Sequence, residues 1–156
     1  MQKIIPMVIF LVQVLCLSSV SGCGILYSNE LIVNRYADVL LTKNNELQFR
    51  FRINNEILEE HQLYKVKVTI HDKKLAAAIG KREIIYGDDQ VLNGDYFEVK
   101  RDREKYIFMD PLPLQRDLHI QELKNMIERN QAVSIEVFNE EEVFGHSFLT
   151  NFSSEL

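Results

Sequence analysis

The chain has 156 residues, 46% of them hydrophobic, with six glycines, three prolines and 23 acidic against 18 basic side chains. That length and apolar content suit one domain with a sizeable core, and no repeat, low-complexity tract or Gly/Pro-rich linker divides it. The acidic balance argues against nucleic acid as a partner and against adhesion to anionic lipid by charge, and it suits a basic protein partner.

The first element is a leader. Met1-Gln2-Lys3 is a short basic start, Ile4 to Leu17 is apolar apart from Pro6 and Gln13, and Ser18 to Gly22 is small and polar apart from Val20. This is the layout of a secretory signal peptide, and the run is too short to span a bilayer comfortably as a permanent helix. Residues 1–22 are therefore set apart from the fold. Their removal takes away one lysine and no acid, leaving 134 residues with 17 basic and 23 acidic side chains, a balance of −6. Of the two cysteines, Cys16 leaves with the leader and Cys23 stays as the first residue of the remainder. It has no partner in its own chain, and a solitary thiol in an oxidising compartment calls for a chemical use.

Val20-Ser21-Gly22-Cys23 resembles the lipobox of bacterial lipoproteins, in which an aliphatic residue, a small residue and Gly or Ala precede a cysteine that is acylated and becomes the N-terminus. Val20 stands where Leu is commoner. The resemblance covers the leader and Cys23 alone. It implies lipid attachment at Cys23, a membrane partner through that lipid, and, with Gly24 following, residence at the outer membrane facing the periplasm. Two or three acyl chains anchor stably where one is marginal. The alternative is ordinary cleavage and a plain secreted protein, for which Asn151-Phe152-Ser153 would be a glycosylation acceptor in a eukaryotic source.

Residues 23–34 read as the lipidated N-terminus and a tether with a first short strand near Leu31-Ile32-Val33, and 35–156 as a single β-rich domain. Asp38 to Thr42 is strand-like. Glu46 to Ile53 alternates without a fault, placing Leu47, Phe49, Phe51 and Ile53 on one face and Gln48, Arg50 and Arg52 on the other. Lys43-Asn44-Asn45 tolerates left-handed turn geometry and joins the two as a hairpin. Glu56 to Glu60 offers one or two helical turns. Alternation returns with Tyr64, Val66, Val68 and Ile70 inward and Lys65, Lys67, Thr69 and His71 outward. Leu75 to Ile79 is ambiguous, since three alanines favour a helix and the length favours a strand. Glu83 to Tyr86 is a further strand.

Tyr96 to Val99 and Lys105 to Met109 read as a hairpin turning at Arg101-Asp102-Arg103-Glu104. Pro111 and Pro113 then forbid regular pairing, because each lacks a ladder donor. Within Asp117 to Asn130, Ile120, Leu123 and Ile127 recur at helical spacing with Met126 adjacent, and Asn130 stops the helix. Ala132 to Phe138 and Val143 to Thr150 form a terminal hairpin around Asn139-Glu140-Glu141. Seven or eight short strands with one late helix predict an antiparallel β-sandwich; the alternative is an α+β layer, one sheet covered by the helix.

No constellation for catalysis, metal or cofactor stands out. His61, His71, His119 and His146 never adopt a metal-ligand spacing, and neither HExxH, CxxC nor G-x-S-x-G occurs. His71 and His119 read as exposed and His146 as a half-buried strand residue. Asp89 to Gly94 echoes a calcium loop, but Val91 and Lys100 occupy ligand places, so it is a turn. One surface feature points to a partner. If their two strands pair, Arg50, Arg52, Lys65 and Lys67 form a basic stripe fit for an acidic protein; the plainer reading sets each against an acid such as Glu98 or Glu136. The expected function is a lipid-anchored, non-enzymatic protein-binding module of the envelope, in assembly, exclusion or immunity. The alternative is an envelope enzyme or inhibitor with a dispersed site.

Overall fold

The computed structural model describes residues 30–88, 91, 94, 96–100 and 104–156. The leader, Cys23, most of the Asp89–Gly94 turn and Arg101 to Arg103 lie outside the described residues.

Among the described residues, ten strands form two sheets. Sheet 1 carries β1 (Asp38–Leu41), β2 (Glu46–Ile53), β6 (Lys105–Phe108) and β10 (Phe152–Ser154) in the order β10-β1-β2-β6, with β7 (Leu112–Pro113) also on β2. Sheet 2 carries β3 (Leu63–Ile70), β4 (Glu83–Tyr86), β8 (Val133–Phe138) and β9 (Val143–Phe148) in the order β4-β3-β8-β9, with β5 (Phe97–Glu98) also on β3. All pairings are antiparallel except β1 with β10. The architecture is mainly β and sandwich-like, as the alternation predicts, and a single helix-covered sheet is set aside.

Alternation makes the core. Along β2 and β3 every second residue is buried, and Leu47, Phe49, Phe51 and Ile53 from one sheet join Tyr64, Val66, Val68 and Ile70 from the other in one cluster. The β1–β2 hairpin turns at Asn45, whose φ of 61° is the left-handed geometry foreseen for the Asn pair.

Several expectations change. Tyr96–Val99 and Lys105–Met109 are no hairpin: β5 pairs with β3 and β6 with β2, so the chain crosses between sheets and each segment completes a different edge. Leu112 and Pro113 do pair with Leu47 and Glu46, at the start of β2, where a missing donor is tolerated. Residues 55–61 form turns rather than a helix. The ambiguous Leu75–Ile79 segment is helical as part of α1 (Lys73–Ile79), capped by Asp72, which accepts from the Leu75 amide at 2.8 Å, and ended by Gly80 in left-handed geometry. The late helix, α2 (Ile120–Arg129), buries Leu123, Met126 and Ile127 and ends at Asn130.

Leu31 and Ile32, assigned to the tether, are buried, and an isolated bridge, Ile32 to Ile53, ties them to the end of β2. A short 3₁₀ turn, Asn34–Tyr36, separates it from β1. This N-terminal stretch helps close one side of the sandwich, where β9 leaves sheet 2 and β10 enters sheet 1. There the Asn151 amide donates to the Asn34 and Ala37 carbonyls at 2.9 and 2.8 Å, and the Ser147 hydroxyl donates to Asn34 Oδ1 at 2.8 Å. Gly145 in β9 lets Leu31 lie flat against it: a Cβ there would stand 2.8 Å from Leu31 Cδ2 and 2.9 Å from Leu31 Cβ. Gly145→Ala is expected to cost about 1–3 kcal/mol by overpacking. In urea unfolding, Gly145→Ala with Leu31→Ala should cost less than the sum of the two single changes.

Candidate interaction surface

The four basic residues singled out above do not form one stripe. Arg50 and Arg52 project from β2 in sheet 1 and Lys65 and Lys67 from β3 in sheet 2, because the two strands pair with other partners and never with each other. Each meets an acid. Arg50 holds Asp38 through two hydrogen bonds, Nε to Oδ1 at 2.9 Å and Nη2 to Oδ2, while Ser153 bridges the pair. That pairing raises the Arg50 pKa further above its ordinary value. Arg52 donates to Glu104 at 2.8 Å, Lys67 meets Glu136 at 2.7 Å and Lys65 meets Glu140 at 3.6 Å. Exposed His119 accepts from the Gln121 amide at the start of α2, and exposed His71 bonds Ser134 Oγ at 2.8 Å. His146, expected half-buried, is exposed and edge-on to Phe148. Among the described residues no three His, Cys, Asp or Glu side chains converge as metal ligands, and no helix is long and apolar enough to cross a membrane.

What the pattern of charges did not reveal is an aromatic patch around Arg52, on the outer face of sheet 1. In the β2–β6 ladder Arg52 stands opposite Tyr106 and Arg50 opposite Phe108. The Arg52 guanidinium lies 4.3 Å from the Tyr36 ring centroid and 5.9 Å from that of Tyr106, and Arg35 lies 4.7 Å from Tyr36. The two tyrosine rings meet edge to face at 6.3 Å. Three large rings therefore stand in solvent together: Tyr36 is 43% exposed, Tyr106 45% and Phe108 61%. The clue was present in Lys105-Tyr106-Ile107-Phe108, where an inward Ile107 forces both aromatics outward. An arginine clamped among exposed rings is the composition that dominates protein interfaces.

Glu104 ties the patch together, accepting from the Tyr106 hydroxyl at 2.8 Å as well as from Arg52. First Tyr106, then Arg52, hold its carboxyl below the usual carboxylate range. In the unfolded chain this carboxyl takes up its proton at a higher pH than in the fold. Its contribution to stability is therefore complete above the ordinary carboxylate range and lost as pH falls through the depressed value. Urea midpoints should fall less steeply for Glu104→Gln than for the parent as pH drops from about 6 to about 3.

Beside the patch, at the edge of β6, a cleft of about 890 Å³ runs between β6 and β4, with Ile84, Ile85, Phe108, Met109 and Leu112 among its walls. Lys105 crosses it to Asp88, which also accepts from the Tyr86 hydroxyl at 3.0 Å. Ile85, at 46% exposed, stands on the β4 rim as Phe108 does on the β6 rim. Comparison with protein-family models, curated proteins and solved structures returns no match.

Proposed function

We propose that this chain is a lipid-anchored envelope protein that binds another protein without catalysis, and that its partner docks on the outer face of sheet 1 around Tyr36, Arg52, Tyr106 and Phe108. The observation that carries the docking face is the pair of exposed tyrosine rings around a stacked Arg52, with exposed Phe108 two residues from Tyr106 on the same strand face, chemistry suited to burial against a partner. The anchor rests on the leader and on Val20-Ser21-Gly22-Cys23, whose resemblance to a lipobox assigns the acyl chains to Cys23. The two parts fit together: lipid restricts the domain to the membrane surface, and the face supplies the recognition.

Each part has its own test. Cys23→Ser should leave the domain folded and move it from the membrane fraction to the soluble periplasmic fraction; a variant that still sediments with the outer membrane removes the anchor. For the face, the intact protein should co-purify from solubilised envelopes with one stoichiometric protein. Tyr36→Ala with Tyr106→Ala should abolish that recovery, and Lys67→Ala on sheet 2 should not. Equal recovery from all three sinks the docking face.

A further inference from the structure

β1 is an apolar strand with no edge protection of its own. Val39, Leu40 and Leu41 are all buried, the strand holds no proline, and its single charge, Asp38, is engaged by Arg50. Backbone parity shows where its polar groups go. The Thr42 amide donates to Glu46 O, so Leu40 also faces β2, while Val39 and Leu41 direct N–H and C=O to the other side. There β10 meets them. The Val39 amide donates to Asn151 O at 3.0 Å, and Leu41 O accepts from the Glu155 amide at 3.0 Å.

β10 has the build of a cover. It is three residues long and parallel to β1, an arrangement slightly weaker per residue than the antiparallel pairings around it. Phe152 is its one apolar side chain and packs against the core. The rest of its hold is polar. The Asn151 amide donates to the Asn34 and Ala37 carbonyls. The Ser153 hydroxyl donates to Asp38 Oδ2 at 2.7 Å and accepts from Arg50 Nη2 at 3.1 Å, and Glu155 Oε2 accepts from the Lys43 amide at 3.1 Å. Natural sheets cover or shorten edges that would otherwise pair with another chain.

We propose that β10 is a strap that keeps this chain from pairing through β1 with a second copy of itself, and that its release turns β1 into the edge of a two-fold dimer. The occupant is a second copy because β1 complements itself when turned antiparallel about an axis through Leu40. Val39 of each copy then stands opposite Leu41 of the other, and every amide and carbonyl that β10 now satisfies finds a partner. Asp38 stands opposite Thr42, so no like charges meet. Sheet 1 of one copy continues into sheet 1 of the other. The strap lies at the edge of sheet 1 opposite β6 and is independent of the docking face proposed above.

The test compares the full chain, purified in detergent, with Asn151→Ala plus Ser153→Ala, which loosens the strap, and with deletion of residues 151–156, which removes it. Amide exchange at Val39 and Leu41 reports strap opening, and sedimentation equilibrium reports association. The double variant should speed exchange at Val39 and Leu41 at least about tenfold and leave Phe51 unchanged. A dimer needs two open straps, so its apparent affinity follows the square of the open fraction, and a tenfold gain in opening should tighten association about a hundredfold. The deletion should give a dimer in which exchange at Val39 and Leu41 slows again as concentration rises. Faster exchange without tighter association overturns the proposal. So does a dimer that leaves Val39 and Leu41 unprotected, unchanged exchange in the double variant, or a parent as dimeric as the variants. Where the deletion alone fails to fold, the double variant decides. A guard is dispensable for folding, so loss of the β signal in both variants overturns it as well.

Discussion

Phe49→Asp is expected to unfold the domain, and so is Val68→Asp from the other sheet. Both positions are completely buried and face each other's sheet within one cluster. Deleting a buried phenylalanine alone costs about 3–5 kcal/mol, and a carboxylate placed there adds a desolvation cost of several kcal/mol, with no buried Lys or Arg among the described residues to offset it. The sum reaches the whole stability of a typical domain, about 5–15 kcal/mol. Circular dichroism at 25 °C should show loss of the β signal. Arg50→Glu and Lys67→Glu, one residue away from the same core, should keep it. Each places a like charge opposite an acid, Asp38 or Glu136, at about 1 kcal/mol apiece. If the surface pair unfolded and the core changes did not, the faces of both strands would be reversed.

That contrast also explains which parts of the fold were legible in advance. In β2 and β3 one face is buried and one is solvated, so the period of two is written into eight consecutive residues and fixes inside and outside together. Short edge segments carry no such pattern. Phe97–Glu98 and Lys105–Phe108 look like a hairpin because they are close in sequence and strand-like, yet each completes the edge of a different sheet, a choice made by long-range packing. Phe152–Ser154 pairs in parallel with β1, and nothing in three residues announces that. The candidate surface was half visible for the same reason. Alternation places Arg50 and Arg52 outward, but only the β2–β6 register sets Tyr106 and Phe108 beside them, and only the 3₁₀ turn brings Tyr36 over Arg52.

Tyr64→Ala is expected to cost about 3–5 kcal/mol, among the largest losses available from one side-chain truncation in this chain. Tyr64 is wholly buried, edge to face with Phe144 at 5.1 Å and tilted against Phe97 at 5.8 Å, so its ring joins β3, β5 and β9. Its hydroxyl accepts from the Glu59 amide at 2.8 Å and reaches the Glu59 carbonyl at 3.2 Å, pinning the connection between β2 and β3. Tyr64→Phe keeps the ring and strips that connection of two hydrogen bonds, for a loss of about 1–2 kcal/mol. The two variants separate packing from polar satisfaction in one urea series. A pH series adds a third readout. Burial, the main cause, raises the Tyr64 phenol pKa, so above about pH 10 the unfolded chain releases a proton that the fold retains. Stability should therefore decline as pH rises from there toward the raised value, and Tyr64→Phe, lower in stability at neutral pH, should show a shallower alkaline decline. An alkaline limb of equal slope in both proteins would assign that decline to other groups, and a loss in Tyr64→Ala no larger than in Tyr64→Phe would deny the ring its part in holding the three strands together.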